Sequence, residues 1–109
     1  MMRQHPTAFE FNEALLIAII DNVYSCRFGT FMFNCEAERV KRDLRSNTVS
    51  LWTAINSRIE LFKNERYVEH EGALFPSFNP KYLRLWHGYW LRHDFSAAPR
   101  SNFASRCFY

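Results

Sequence analysis

Apolar positions change their spacing several times along the 109-residue chain, and the first run is the densest. Leu15, Leu16, Ile19, Ile20 and Val23 recur at helical spacing, and Ala14, Ile17, Ala18 and Tyr24 fill most of the remaining circumference. The pattern predicts a helix over 12–26. Asn12 is its N-cap, Glu13 suits the positive dipole end, and Phe11 can staple onto Leu16. Thr7 with Glu10 also spells a capping box, leaving an earlier start open, and Gly29 is the expected terminator. A helix apolar nearly all round is expected to be buried on all sides.

The remaining pattern is weaker. Residues 1–6 read as the end of a preceding helix broken by Pro6. The short aromatic stretch 28–34 reads as an extended or irregular connection. Residues 35–45 are polar, with Glu38 and Arg42 at i,i+4 spacing, and predict one or two exposed helical turns. Over 46–67, Leu51, Ala54, Ile55, Ile59 and Phe62 fall on one helical face with Trp52 beside it. Residues 68–80 carry Gly72, Pro76 and Pro80 and read as a loop. A last helix is expected over 81–93, anchored by Leu83, Trp86, Tyr89 and Trp90. Residues 94–109 lose periodicity and are expected to be a disordered tail.

The sum is a mostly α chain of three main helices, one short helix and aromatic connections. Its expected buried set is Leu16, Ile19, Ile20, Val23, Leu51, Trp52, Ile55, Leu83 and Trp86. A fully packed Trp52 would lose about 3–5 kcal/mol on truncation to Ala. With one helix apolar on nearly every side and the others offering one face each, a contiguous apolar patch is expected to stay exposed.

Composition sharpens this. The chain is 48% hydrophobic with eleven Phe and three Trp, more large apolar side chains than one small domain comfortably hides. That favours a piece of something larger or an obligate partner. A net charge of +3 and scattered Lys and Arg beside Glu describe solvated helix faces and exclude a dense nucleic-acid stripe. Three cysteines without close pairing argue for reduced intracellular thiols over a secreted disulfide scaffold. No signal peptide is visible, and residues 14–20 are too short a run to span a bilayer.

Candidate chemistry is thin. His5, His70, His87 and His93 lack the spacing of a zinc site, and no CxxC pair occurs. Glycine occurs at Gly29, Gly72 and Gly88, which makes no phosphate-cradling loop. A Cys-x5-Arg loop would place a thiolate and a guanidinium around one phosphate. Here Lys41 stands six positions after Cys35 and Met32 six after Cys26, while Glu36 and Glu38 would repel a thiolate and an anionic substrate. Catalytic, metal and cofactor residues are therefore all expected to be none. Trp52, Trp86, Trp90, Tyr89 and Phe75 could form a membrane-facing or ligand-stacking surface, but such residues at helical spacing are more often core.

An ordered series of motifs adds to this reading. "RQHPTAFEFNE", "YSCRFGTF", "NCEAER", "TVSLWTAIN" and "LRLWHGYWLR" resemble, in order and spacing, the C-terminal part of the phosphatase domain of the myotubularin family of phosphoinositide phosphatases. The resemblance covers about Arg3 to Arg92. It implies a helical C-terminal piece of an α/β, protein-tyrosine-phosphatase-like domain, with 3–93 a partial phosphatase domain and 94–109 outside the pattern. Family substrates are phosphatidylinositol 3-phosphate and its 3,5-bisphosphate. The Cys-x5-Arg loop that supplies nucleophile, phosphate-binding Arg and acid Asp lies upstream of the matched region, so none of those residues carries over. The resemblance also implies a cytoplasmic protein peripheral to endomembranes, reaching phosphoinositide membranes only through the parent domain, and lying where the family has a segment described as interacting with SET-domain proteins. Its expected partner is the rest of a phosphatase domain or a myotubularin-related protein, with no nucleic acid. The alternatives are a non-catalytic interaction or regulatory module, and an unrelated small helical protein.

Overall fold

The computed structural model describes residues 1–92; the expected tail over 94–109 lies outside them. The chain divides into two compact units, Glu13–Phe62 and Met1–Asn12 with the chain from Lys63 onward. Among the described residues the regular elements are helical, and the β pairing is a single antiparallel bridge between Phe11 and Lys63.

In the first unit, α1 covers Glu13–Ser25, within a residue of the range its apolar density predicts. Strong helix formers, Glu13 to Leu16 and Ala18, fill its first half, Glu13 lies in the first turn, and no Gly or Pro interrupts it. Its end does not wait for Gly29. Cys26 turns left-handed at φ 49° while its N–H still donates to the Asn22 carbonyl at 3.0 Å. Expected all-round burial is not found. Ala18 and Asn22 are buried, Leu16, Ile19 and Ile20 are half-buried, and Val23 and Tyr24 are exposed. Asn22 is satisfied inside the helix, its Nδ2 donating to the Ala18 carbonyl at 2.7 Å.

The stretch 28–34 holds a 3-10 turn, Gly29–Phe31, and leaves through Phe33 at φ 58°. Two short helices follow, α2 (Glu36–Lys41) and α3 (Leu44–Asn47), separated by Asp43 in the left-handed region at φ 47°. The predicted Glu38–Arg42 pair forms on α2 at 4.0 Å. The expected long helix over 46–67 shrinks to α4 (Leu51–Asn56) and a 3-10 turn, Ile59–Leu61. Ser50 caps α4, its Oγ accepting from the Trp52 N–H at 3.2 Å. The apolar period runs past Asn56, but the backbone leaves the helix at Arg58, where φ is −138°.

Among the described residues the buried apolar set is Ala18, Leu44, Leu51, Ile55 and Phe62, all in this unit. Of the nine residues expected inside, Leu51 and Ile55 are buried, while Val23, Trp52 and Leu83 are exposed. For Trp52 the reason is geometric. One step along an α-helix turns the side chain by about 100°, so in a six-residue helix anchored by Leu51 and Ile55 it lies on the flank of the buried face, not at its centre.

The second unit is stitched by polar contacts. Asn64 Nδ2 donates to the Pro6 and Phe9 carbonyls at 2.9 and 2.8 Å, and its N–H to Glu10 at 2.7 Å. The Val68 N–H reaches the Thr7 carbonyl at 2.9 Å. With these carbonyls turned to other partners, the Thr7 capping box starts no helix. Gln4 and Ser77 bond reciprocally, Ser77 N–H to Oε1 at 2.8 Å and Nε2 to the Ser77 carbonyl at 3.2 Å. The expected last helix over 81–93 is reduced to a 3-10 turn, Pro80–Tyr82, and α5 (His87–Trp90). A segment this short, with Gly88 inside it, lies far below the length at which a helix sustains itself without packing. Trp86 and Tyr89 are half-buried, whereas Leu83 and Trp90 are 73% and 66% exposed. The anchoring face assigned to this helix is thus only half realised.

Candidate functional site

The densest arrangement of polar contacts in the Glu13–Phe62 unit is a crossing of two loops, residues 28–32 over 48–51. The Gly29 N–H donates to the Val49 carbonyl at 3.2 Å. One residue on, Thr30 Oγ1 accepts from the Leu51 N–H at 2.9 Å and lies 3.2 Å from Ser50 Oγ. At the crossing itself Gly29 has no room for a side chain: an added Cβ would fall on the Thr48 hydroxyl, which is itself bonded to the Leu44 carbonyl.

Arg39 holds the crossing from α2. Its Nη1 donates to the carbonyls of Thr30 at 3.2 Å and Met32 at 2.9 Å, and its Nε lies 3.4 Å from Glu36 Oε2. One turn later the Arg42 guanidinium stands 5.2 Å from the centre of the Phe33 ring. Two cations of the "NCEAER" stretch and its continuation thus clamp the aromatic loop before them. The sequence pattern made these residues a solvated face. That reading holds for Arg42, but Arg39 keeps a half-buried side chain directed at backbone. A guanidinium bonded to two carbonyls and a carboxylate is a structural tie, poorly placed to receive a phosphate.

Arg39→Ala leaves both carbonyls without their donor, and charge-assisted bonds at a partly solvated site are worth about 1–2 kcal/mol together. The expected result is a lower urea midpoint at unchanged slope. Arg39→Lys should recover little, because an ammonium cannot reproduce the planar fork. Full recovery by Lys would show that only charge matters there.

The weighed nucleophiles lie apart from any such apparatus. Cys26 is exposed with its Sγ donating to the Val23 carbonyl at 3.4 Å, and Cys35 is exposed as the residue before α2. His5 Nε2 contacts the Phe75 carbonyl at 3.2 Å, His70 is exposed, and His87 opens α5. His93 lies outside the described residues. No three His, Cys, Asp or Glu side chains converge as a metal site among the described residues. The roles missed from the sequence are those of Gly29, Thr30, Arg39 and Asn64: the partners of Gly29, Thr30 and Asn64 lie far along the chain, while those of Arg39 lie nearer, across the turn before α2. The one available signal was a glycine in an aromatic run, where close backbone approach is a standard reason for its presence.

Comparison with known proteins gives these contacts a setting. A family model for the myotubularin-like phosphatase domain matches residues 1–40. A phosphatidylinositol-3,5-bisphosphate 3-phosphatase of Gallus gallus is 52% identical over 93 residues, covering 84% of this chain and 16% of the relative. Myotubularin of Rattus norvegicus is 48% identical over 93 residues, 84% of this chain and 15% of its own length. The phosphatidylinositol-3,5-bisphosphate 3-phosphatase of Mus musculus is 47% identical over 107 residues, 97% of this chain and 17% of the relative. The chain therefore spans about a sixth of the length of these relatives. No helix among the described residues is long and apolar enough to cross a membrane.

Proposed function

This chain is a portion of a myotubularin-like phosphatase domain, and on that premise we propose that it forms part of the scaffold of a phosphoinositide 3-phosphatase rather than its catalytic centre. The parent reaction is removal of the 3-phosphate from phosphatidylinositol 3-phosphate or the 3,5-bisphosphate, at the cytoplasmic side of endomembranes. The observation that carries the reading is the 52% identity to a phosphatidylinositol-3,5-bisphosphate 3-phosphatase across 84% of the chain. Within it, neither Cys26 nor Cys35 is followed six positions on by Arg, and Arg39 is tied to the backbone.

The 109-residue chain alone is expected to release no phosphate from phosphatidylinositol 3-phosphate. Attack needs an activated thiolate and the developing charge needs a guanidinium cradle, and the residues named above supply neither. Malachite-green detection over hours, with Cys26→Ser and Cys35→Ser as controls, measures this. Turnover that either substitution abolishes would overturn the proposal.

A second reading, a non-catalytic interaction module, is favoured by Tyr24, Val40, Val49 and Trp52, which are 79%, 69%, 58% and 49% exposed. Its partner would be the rest of a phosphatase domain or a myotubularin-related protein. Co-purification with a catalytically complete relative, lost on Trp52→Asp with no change in the circular dichroism of the chain, separates it from the scaffold reading.

A further inference from the structure

Residues 6–12 and 63–68 flank the Glu13–Phe62 unit in sequence, and they are bound to each other. Phe11 and Lys63 pair as an antiparallel bridge, and Asn12 Nδ2 donates to the Lys63 carbonyl at 3.1 Å across 51 positions of sequence. Asn64 is the centre of the join. Its Nδ2 donates to the Pro6 and Phe9 carbonyls at 2.9 and 2.8 Å, and its N–H to the Glu10 carbonyl at 2.7 Å. Its remaining groups hold its own turn: Oδ1 accepts from the Arg66 N–H at 3.1 Å, and its carbonyl from the Tyr67 N–H at 3.0 Å. Beyond it the Val68 N–H donates to the Thr7 carbonyl at 2.9 Å. The Gln4–Ser77 pair continues the join toward the N-terminus, across 73 positions.

Two features set this join apart from the core. It is mainly polar: every fully buried apolar side chain among the described residues belongs to Glu13–Phe62, whereas Phe9 and Phe11 at the join are half-buried, their ring centres 5.5 Å apart. Hydrogen bonds exchanged with water contribute little apiece, and a segment without a buried apolar layer opens locally at low free energy. The join also closes a long loop. Folding of Glu13–Phe62 fixes where its two ends lie, so the flanking segments meet without further restriction of the chain between them. Once that unit unfolds, the same contacts must close a flexible loop of that length and order both segments as well. A few polar bonds in water do not offset that entropy loss.

We propose that residues 6–12 and 63–68 form a one-way clasp latched by Asn64. It opens while Glu13–Phe62 stays folded, and it cannot stay closed once that unit unfolds. Residues 1–12 are thereby a strap that detaches without dissolving the core around Leu51 and Ile55. The same asymmetry orders folding, with the core formed before the strap is fastened.

The test is amide hydrogen exchange on the 109-residue chain, followed residue by residue by NMR. The Val68 N–H reports the clasp, and the Leu51 and Cys26 N–H groups, bonded to Thr30 Oγ1 and the Asn22 carbonyl, report the core. Asn64→Ala should speed exchange at Val68 by at least about tenfold, since both bonds from Nδ2 to the strap are lost. Leu51 and Cys26 should stay within about twofold of the parent. Asn64→Asp keeps an acceptor for the Arg66 N–H but has no donor for the two carbonyls, and should do at least as much as Ala. In the parent, exchange at Val68 should be nearly independent of urea at low concentration, because opening the clasp exposes little surface. It should then join the Leu51 curve at the main transition. Equal acceleration at Leu51, Cys26 and Val68 would overturn the proposal, as would an unchanged Val68 rate or no protection at Val68 in the parent. A Val68 curve parallel to that of Leu51 from the first addition of urea would show one cooperative unit and no clasp. Protection at Val68 that outlasts Leu51 would show a join that needs no folded core, and would equally sink it. None of these readouts involves phosphate release, so the clasp and the scaffold proposal stand or fall separately.

Discussion

Leu51→Ala is expected to lower the unfolding free energy of the chain by about 2–5 kcal/mol, and Trp52→Ala beside it by under about 1 kcal/mol. Leu51 is fully buried, at 0% exposure, in a core of only a few apolar side chains. Deleting its isobutyl group removes contacts and leaves a cavity whose walls are held by capped, hydrogen-bonded backbone. The Leu51 N–H is bonded to Thr30 Oγ1, so the site cannot easily collapse around the void. Trp52 is larger and carries the more conspicuous motif, yet it is 49% exposed and truncation returns much of its area to a state it already occupies. Urea unfolding followed by far-ultraviolet circular dichroism measures both without relying on tryptophan emission. Equal costs, or a greater cost at Trp52, would mean that α4 is rotated from the orientation described.

Gly29→Val should be similarly damaging, costing about 3 kcal/mol, at the upper end of what overpacking a buried position exacts. The cause is local and specific. The heavy atoms nearest to a Cβ built on Gly29 all belong to the Thr48 side chain, with Thr48 Cβ at 2.8 Å and Cγ2 at 3.5 Å. A branched side chain rooted beside the backbone cannot swing aside as a long flexible one would. The loops would have to separate, loosening the Gly29–Val49 and Thr30–Leu51 bonds together. The diagnostic is a double-mutant cycle. Thr48→Gly clears the obstruction while itself losing the hydroxyl bond to Leu44. Gly29→Ala with Thr48→Gly should therefore cost less than the two single changes added, by more than about 1 kcal/mol. Strict additivity would place the strain somewhere other than this crossing.

What the sequence made legible depended on how locally each feature is determined. The limits of α1 came out within a residue because thirteen consecutive helix-compatible residues leave little competing structure. The Glu38–Arg42 pair was likewise readable, since i,i+4 neighbours on a helix meet whatever surrounds them. The stretch 46–67 was misread for the opposite reason. Its apolar period continues, but six residues of helix and a 3-10 turn place Leu51, Ile55 and Phe62 inside just as one long helix would. Periodicity reports which side chains are apolar, and several backbones satisfy the same list. Arg39 and Asn64 were invisible because their acceptors, Thr30 and Met32 in one case and Pro6 and Phe9 in the other, become neighbours only after folding. The membership in a phosphatase domain was carried by motif order rather than by any property of single residues.

The three left-handed positions that end α1, leave the aromatic loop and separate α2 from α3 are Cys26, Phe33 and Asp43, none of them glycine. Each side chain costs about 1 kcal/mol in the folded chain relative to glycine at the same angles. The denatured ensemble receives the opposite effect. A chain with side chains at its turning points samples fewer backbone states when unfolded than one hinged on glycine, so less entropy is lost when the turns form. For a chain with few fully buried side chains, this narrowing of the disordered competitor offsets part of the strain, and it does so without any contact visible in the native state.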